Sequence, residues 1–203
     1  MITSLRLAPL FVLLAAAPAG AGVLVVTVTD AAGQPLPDAV ALLEPAGAKA
    51  PPPRPLPDVE IAQAKRRFQP RVTLITPGTR VAFPNFDTVR HHVYSFSEAK
   101  TFELKLYAGV PAAPVTFDKP GLAVLGCNIH DKMAAWVVVA DTPWAALAGA
   151  DGLARLPAAP AGSYRLTVWH PGLPAGKPAV PEPVTLGAGD ATHEVRLAIE
   201  GTP

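Results

Sequence analysis

Gly126-Cys127-Asn128-Ile129-His130-Asp131-Lys132-Met133 sets a thiol, an imidazole and a thioether at the spacing Cys-x2-His-x2-Met, directly after the apolar run Gly121 to Leu125. A strand ending at Cys127 presents its sulfur at one end of a sheet, and the short loop after it returns His130 and Met133 to the same point. A fourth donor must come from elsewhere, and His91 stands at the start of another predicted strand. A thiolate with two imidazoles in a trigonal arrangement and a weak axial thioether is the donor set of blue-copper electron-transfer sites. The thiolate gives charge to Cu(II) and its soft sulfur also suits Cu(I), so one geometry serves both oxidation states. Zinc takes four firm ligands and does not usually accept a thioether. Cys127 is the only cysteine in the chain, so a dinuclear copper centre that needs two thiolates is excluded.

Taken singly, each of these residues is weak evidence. A lone cysteine is commonly a small buried hydrophobe and a methionine commonly fills a core. What gives the loop meaning is the conjunction, together with the start of the chain. Arg6 precedes an apolar run from Leu7 to Ala17, and Ala19-Gly20-Ala21 offers small residues for cleavage. This is the pattern of an export signal over residues 1–21. A membrane span needs about 20 apolar residues, more than this run has, and Pro9 interrupts it. A periplasmic location is therefore expected, with no transmembrane segment in the mature chain. In such an oxidising compartment an unpaired thiol calls for a reason, and metal ligation is one.

The 203 residues carry a net charge of +1, and 16% are charged, which speaks against a nucleic-acid partner. Half of them are apolar, enough for a packed core. Twenty-five prolines and 16 glycines oppose long helices, so the chain reads as all-β. Strands are predicted at Leu24 to Thr29, Ala39 to Leu43, Val72 to Ile75, Arg80 to Phe83, Gly121 to Cys127, Ala134 to Val139, Tyr164 to Trp169, Val184 to Leu186 and Glu194 to Ile199. Phe102, Leu104 and Leu106 alternate with Thr101, Glu103 and Lys105, predicting one buried and one wet face. Pro51-Pro52-Pro53 marks residues 49–57 as an extended linker.

Two segments resemble a small sandwich, the carboxypeptidase-regulatory-like (prealbumin-like) domain. The residues that carry this are Asp30-Ala31-Ala32-Gly33-Gln34-Pro35-Leu36-Pro37-Asp38-Ala39-Val40 early, and Asp151-Gly152-Leu153-Ala154 with Pro160-Ala161-Gly162-Ser163-Tyr164-Arg165-Leu166 late. The resemblance implies one discontinuous domain, residues 22–48 with 142–201, interrupted by an insertion at 58–141; a single larger sandwich is the alternative.

The inserted segment resembles the cupredoxins, with a short loop like that of amicyanin. Overall it is most similar to plastocyanin-like proteins known as methylamine utilisation proteins. Phe68-Gln69-Pro70, Pro77-Gly78-Thr79-Arg80-Val81, Phe83-Pro84-Asn85-Phe86-Asp87, His91-His92-Val93 and the Cys-x2-His-x2-Met loop carry it. It implies a Greek-key β-sandwich holding one type 1 copper through His91, Cys127, His130 and Met133. Where cupredoxins usually have His-Asn-Val, this chain has two adjacent histidines. Side chains of adjacent strand residues face opposite ways, so only one can meet the metal, and the family's count from Asn85 selects His91. His92 then takes the position whose side chain ties the ligand loops together, with Asn85 a further supporting residue, or it is a half-exposed surface histidine.

The function implied is one-electron transfer, without catalysis, between periplasmic partners such as a dehydrogenase and a cytochrome or oxidase. Methylamine oxidation is a candidate context, and His130 is expected to be the electron port. Copper trafficking is the alternative. A copper enzyme would need a second histidine-rich centre, and five histidines without a His-x-His pair do not supply one. Lys65-Arg66-Arg67 reads as a solvated loop, His170 as a turn residue, His193 as exposed, and Trp136 and Phe83 as core aromatics.

Overall fold

The computed structural model describes residues 20–111, 113–174 and 181–199. All but the last two residues of the expected export signal lie outside them. Every regular element among the described residues is a strand. In chain order these are β1 (Ala21–Thr29), β2 (Val40–Pro45), β3 (Val59–Glu60), β4 (Ala62–Ala64), β5 (Arg67–Gln69), β6 (Val72–Ile75), β7 (Thr79–Ala82), β8 (His91–Ser97) and β9 (Lys100–Tyr107). They continue with β10 (Val115–Phe117), β11 (Gly121–Gly126), β12 (Ala134–Val139), β13 (Ala145–Leu147), β14 (Leu153–Pro160), β15 (Gly162–Trp169), β16 (Glu182–Leu186) and β17 (Ala191–Arg196).

The strands from the two ends of the chain make two facing sheets, ordered β14-β1-β17 and β13-β2-β15-β16. Leu24, Val26 and Val28 of β1 point inward by strict alternation and meet Ala41, Leu43, Leu156, Leu166 and Val195 in one apolar cluster. Gly152 has φ +72, and a Cβ there would stand 2.7 Å from the Val28 carbonyl, so the turn into β14 requires glycine.

The middle of the chain makes a five-stranded sheet, β6-β12-β11-β8-β9, with the sheet β10-β7-β3 and the hairpin β4-β5. These strands enclose a second cluster with Ile61, Phe68, Ile75, Val81, Phe83, Val93, Phe117, Leu125 and Val137. Cys127 and Met133 belong to this second cluster. The structure thus has an all-β, two-layered architecture, with separate cores for the two parts of the chain.

A third apolar contact joins them. Val40, Leu42 and Trp169 meet Val72, Leu74, Leu122, Trp136 and Val138. β12 is therefore buried on both faces: Ala135, Val137 and Val139 point into the second cluster, Trp136 and Val138 into the third. Trp136 packs in this third cluster, and the Arg71 guanidinium lies 5.1 Å from its ring centroid.

Two expectations need correction. Leu106 is half exposed, not buried with Phe102 and Leu104. The β8-β9 register shifts between His91 and Val93, so an extra β9 residue opposes this stretch, turning Leu106 outward and Tyr107 toward His91. The second is residues 153–160, Leu-Ala-Arg-Leu-Pro-Ala-Ala-Pro, for which the sequence predicts no strand and which form β14. It is an edge strand paired only to β1, where a missing amide donor costs no ladder bond.

Candidate metal centre

Cys127 immediately follows β11, and His130 and Met133 follow it through two tight turns, the second closed by the Met133 amide donating to the His130 carbonyl at 2.9 Å. β11 lies next to β8, whose first residue is His91, so the two segments bring their chemistry to the same end of the sandwich. The Cys127 Sγ is 3.9 Å from His91 Nδ1 and 3.8 Å from His130 Nδ1. The two imidazole rings stand 5.0 Å apart, tilted by 58°. All three donor atoms lie within 4.8 Å of one another.

This spacing fits one metal ion. With imidazole and thiolate bonds of ~2.0 and ~2.3 Å and a trigonal angle, nitrogen and sulfur should stand about 3.7 Å apart. His91 is fully buried and Cys127 nearly so, while His130 is half-buried. Met133 is buried in the same cluster as Cys127. The donor set is two imidazole nitrogens and one thiol, with a thioether on the same loop, and it suits copper better than zinc.

The two neighbouring histidines separate as strand geometry requires. His91 joins Cys127 and His130, while His92 turns to the other face, its Nε2 2.9 Å from Glu103 Oε1 and its Nδ1 without a partner. Its ring also stacks at a tilt on Tyr94, with centroids 5.4 Å apart. His92 does not bridge the two ligand loops. Asn85 does hold a loop: its Nδ2 donates to the carbonyls of Val89 and Tyr107 at 2.9 and 3.0 Å, and its Oδ1 accepts from the Asp87 amide at 2.9 Å. The chain from residue 85 to His91 is thereby tied to β9.

Sequence reasoning gave no role to two residues that matter here. The first is Asp87, whose Oδ2 lies 2.8 Å from His91 Nε2. Its carboxylate also accepts the amides of Lys65 and Arg66 at 2.7 and 2.8 Å. Burial raises its pKa, but the bonds from the Arg66 amide, His91 and the Lys65 amide outweigh that and hold it below the ordinary value. The available signal was a carboxylate four residues before a candidate ligand. The second is Tyr107, whose hydroxyl donates to the Phe83 carbonyl and receives the Gln63 side-chain amide. Burial, opposed by the Gln63 bond and aided by the nearby Cys127, pushes its pKa up to about 12.

No protein-family model and no curated protein matches the chain. Solved structures do. A purple cupredoxin from Nitrosopumilus maritimus is 21% identical over 41% of this chain and 100% of its own, with a TM-score of 0.36. An amicyanin from Paracoccus versutus is 17% identical over 42% of this chain and 91% of its own, with a TM-score of 0.34. Further amicyanins and a pseudoazurin are among the similar structures. A copper-containing nitrite reductase from Thermus scotoductus is also similar, 27% identical over 55% of this chain but only 28% of its own, with a TM-score of 0.38. The cupredoxin likeness covers under half of the chain, and what the site can do follows from its own side chains.

The remaining histidines lie elsewhere. His170 follows β15 and opens a turn, its carbonyl accepting the Leu173 amide at 3.0 Å, and it is buried: its Nε2–H donates to the Pro37 carbonyl at 3.1 Å and its Nδ1 accepts the Gly172 amide at 2.9 Å. His193 is half-buried against Glu182 at 3.0 Å. Lys65 and Arg66 form the turn between β4 and β5 with φ 54 and 56, a strained conformation for residues with a Cβ.

Proposed function

We propose that residues 58–141 form a cupredoxin domain, inserted in a second sandwich built from 22–48 and 142–201, that binds one type 1 copper ion and carries single electrons. The observation that carries this reading is the convergence of His91 Nδ1, His130 Nδ1 and Cys127 Sγ at distances that suit a trigonal metal. Met133 would supply the weak axial donor. When bound, copper would supply the electron that is exchanged. The protein's part is to hold three donors in one geometry for both oxidation states and to exclude water from the sulfur.

Exposed Phe86 and Val89 lie on the loop leading to His91, and exposed Ile129 lies between Cys127 and His130. Exposed apolar side chains on the segments that carry the ligands favour brief docking of redox partners, which need only small interfaces. No helix among the described residues is long and apolar enough to cross a membrane. Export to the periplasm, a dehydrogenase and a cytochrome or oxidase as partners, and a place in amine oxidation belong to the same proposal.

The test is the spectrum of the copper-loaded protein. Wild type should show the intense thiolate-to-Cu(II) absorption. Cys127→Ser should lose it, and survival of the colour would overturn the assignment. Met133→Leu should keep the colour and raise the reduction potential, because the donor that favours Cu(II) is removed. A carrier should also retain its metal against a mild Cu(I) chelator, whereas quick surrender would favour copper trafficking, the reading that the burial of Cys127 opposes.

A further inference from the structure

Any imidazole that holds a metal through one nitrogen has to place the proton on the other. For His91 the nitrogen facing Cys127 and His130 is Nδ1, and the nitrogen facing away is Nε2. Nε2 does not meet solvent, because His91 is fully buried. It meets the Asp87 carboxylate at 2.8 Å. A carboxylate in this position accepts the Nε2 proton and so reserves the Nδ1 lone pair for a metal. It also turns the ring to one orientation and makes it a stronger donor.

The carboxylate is itself held from outside the site. Lys65 and Arg66, at the tip of the β4-β5 hairpin, give both backbone amides to it, one to each oxygen. Both residues have positive φ, a conformation that residues with a Cβ rarely adopt, while the turn aims two donors at one carboxylate. Strained backbone of this kind tends to concentrate where a fixed geometry is used. The side chains of Lys65 and Arg66 take no part, which is why the basic run carried no usable signal in the sequence.

Resting on the copper reading above, we propose that Asp87, clamped by the Lys65–Arg66 turn, is a positioning residue that fixes His91 as the Nε2–H tautomer with Nδ1 toward the metal, and that its negative charge favours Cu(II) over Cu(I). A neutral acceptor would orient the ring without that charge. Asp87→Asn loses the charge and replaces one acceptor oxygen with a donor, so the amides and His91 are no longer all satisfied.

The first test needs no metal. In the apo protein, nitrogen-resolved NMR of the imidazoles in mildly alkaline buffer should show His91 locked as the Nε2–H tautomer. A mixture of tautomers, or the Nδ1–H form, overturns the proposal whatever copper does and whether or not any variant folds. The second test is Asp87→Asn loaded with copper. Its Cu(II) affinity should fall about 10–100-fold and its reduction potential should rise. Each tenfold loss confined to Cu(II) corresponds to about 59 mV. Asp118→Asn, an exposed carboxylate paired with Lys100, serves as the control and should leave both values unchanged. Unchanged affinity and potential in Asp87→Asn overturn the tuning role. Should wild type lack the thiolate-to-copper colour, the copper reading falls, while the apo spectrum still decides whether Asp87 fixes His91.

Discussion

His91 and His92 follow one another in β8, yet one reaches Cys127 and the other Glu103. Replacing each with alanine should therefore have different consequences. His91→Ala removes a donor and opens a hole in the site, so copper should bind weakly and without the intense colour. His92→Ala removes a bond to a half-exposed glutamate and should cost about 1 kcal/mol of stability with the colour retained. Absorption spectra and urea titrations of the two variants distinguish these outcomes.

Tyr107, also a single-residue matter, titrates in an observable range. Its folded pKa of about 12 exceeds the ordinary value near 10, so between the two the folded protein holds a proton that the unfolded chain has lost. Stability should be intact below about pH 10 and decline from there toward about 12. In Tyr107→Phe that part of the alkaline decline should vanish, at a cost of about 1 kcal/mol at neutral pH. Denaturant midpoints across that range supply the check.

At the level of elements, strands announce themselves by what covers them. β1 has one dry and one wet face, and its alternation is plain in Leu24, Val26 and Val28. β12 is covered on both faces and reads as an unbroken apolar run, Ala-Ala-Trp-Val-Val-Val, which still identifies a strand. The Cys-His-Met loop was legible because its chemistry lies within one short segment. The short strands β3, β10 and β13 span too few residues to show a period, and the proline-bearing β14 looks like a loop. Nor does any local pattern announce the bulge that turns Leu106 out, since it depends on pairing with β8. The pairing of the Lys65–Arg66 turn with Asp87 is equally non-local, so the sequence gives ligands more readily than the groups that hold them.

The approach of β8 and β11 is close enough to constrain side chains. Gly126 pairs with Tyr94, and a Cβ at residue 126 would stand 2.6 Å from the tyrosine ring. Gly126→Ala should push Tyr94 aside, costing about 1–3 kcal/mol and exposing the flank of Cys127. Thermal melts, with the rate of thiol modification in the apo protein, would register both effects.

For the molecule as a whole, the contact between Trp169, Val40 and Leu42 and the outer face of β6 and β12 couples two cores that share no sheet. Calorimetry of wild type should show one cooperative transition. Trp169→Ala withdraws the largest side chain that the flanking sandwich offers to the contact, which should cost about 2–3 kcal/mol and separate the transition into two.

The route by which the chain enters and leaves its middle segment has a consequence for how the protein could be rebuilt. β2 before the excursion and β13 after it are antiparallel neighbours, and Thr142 Oγ1 donates to the Leu43 carbonyl at 2.8 Å. Departure and return thus occur side by side on one sheet edge. A few turn residues joining these points would preserve every pairing among the strands outside the middle segment, so the stretch proposed to bind the metal is placed like a graft, open to exchange for other cargo without rewiring its surroundings.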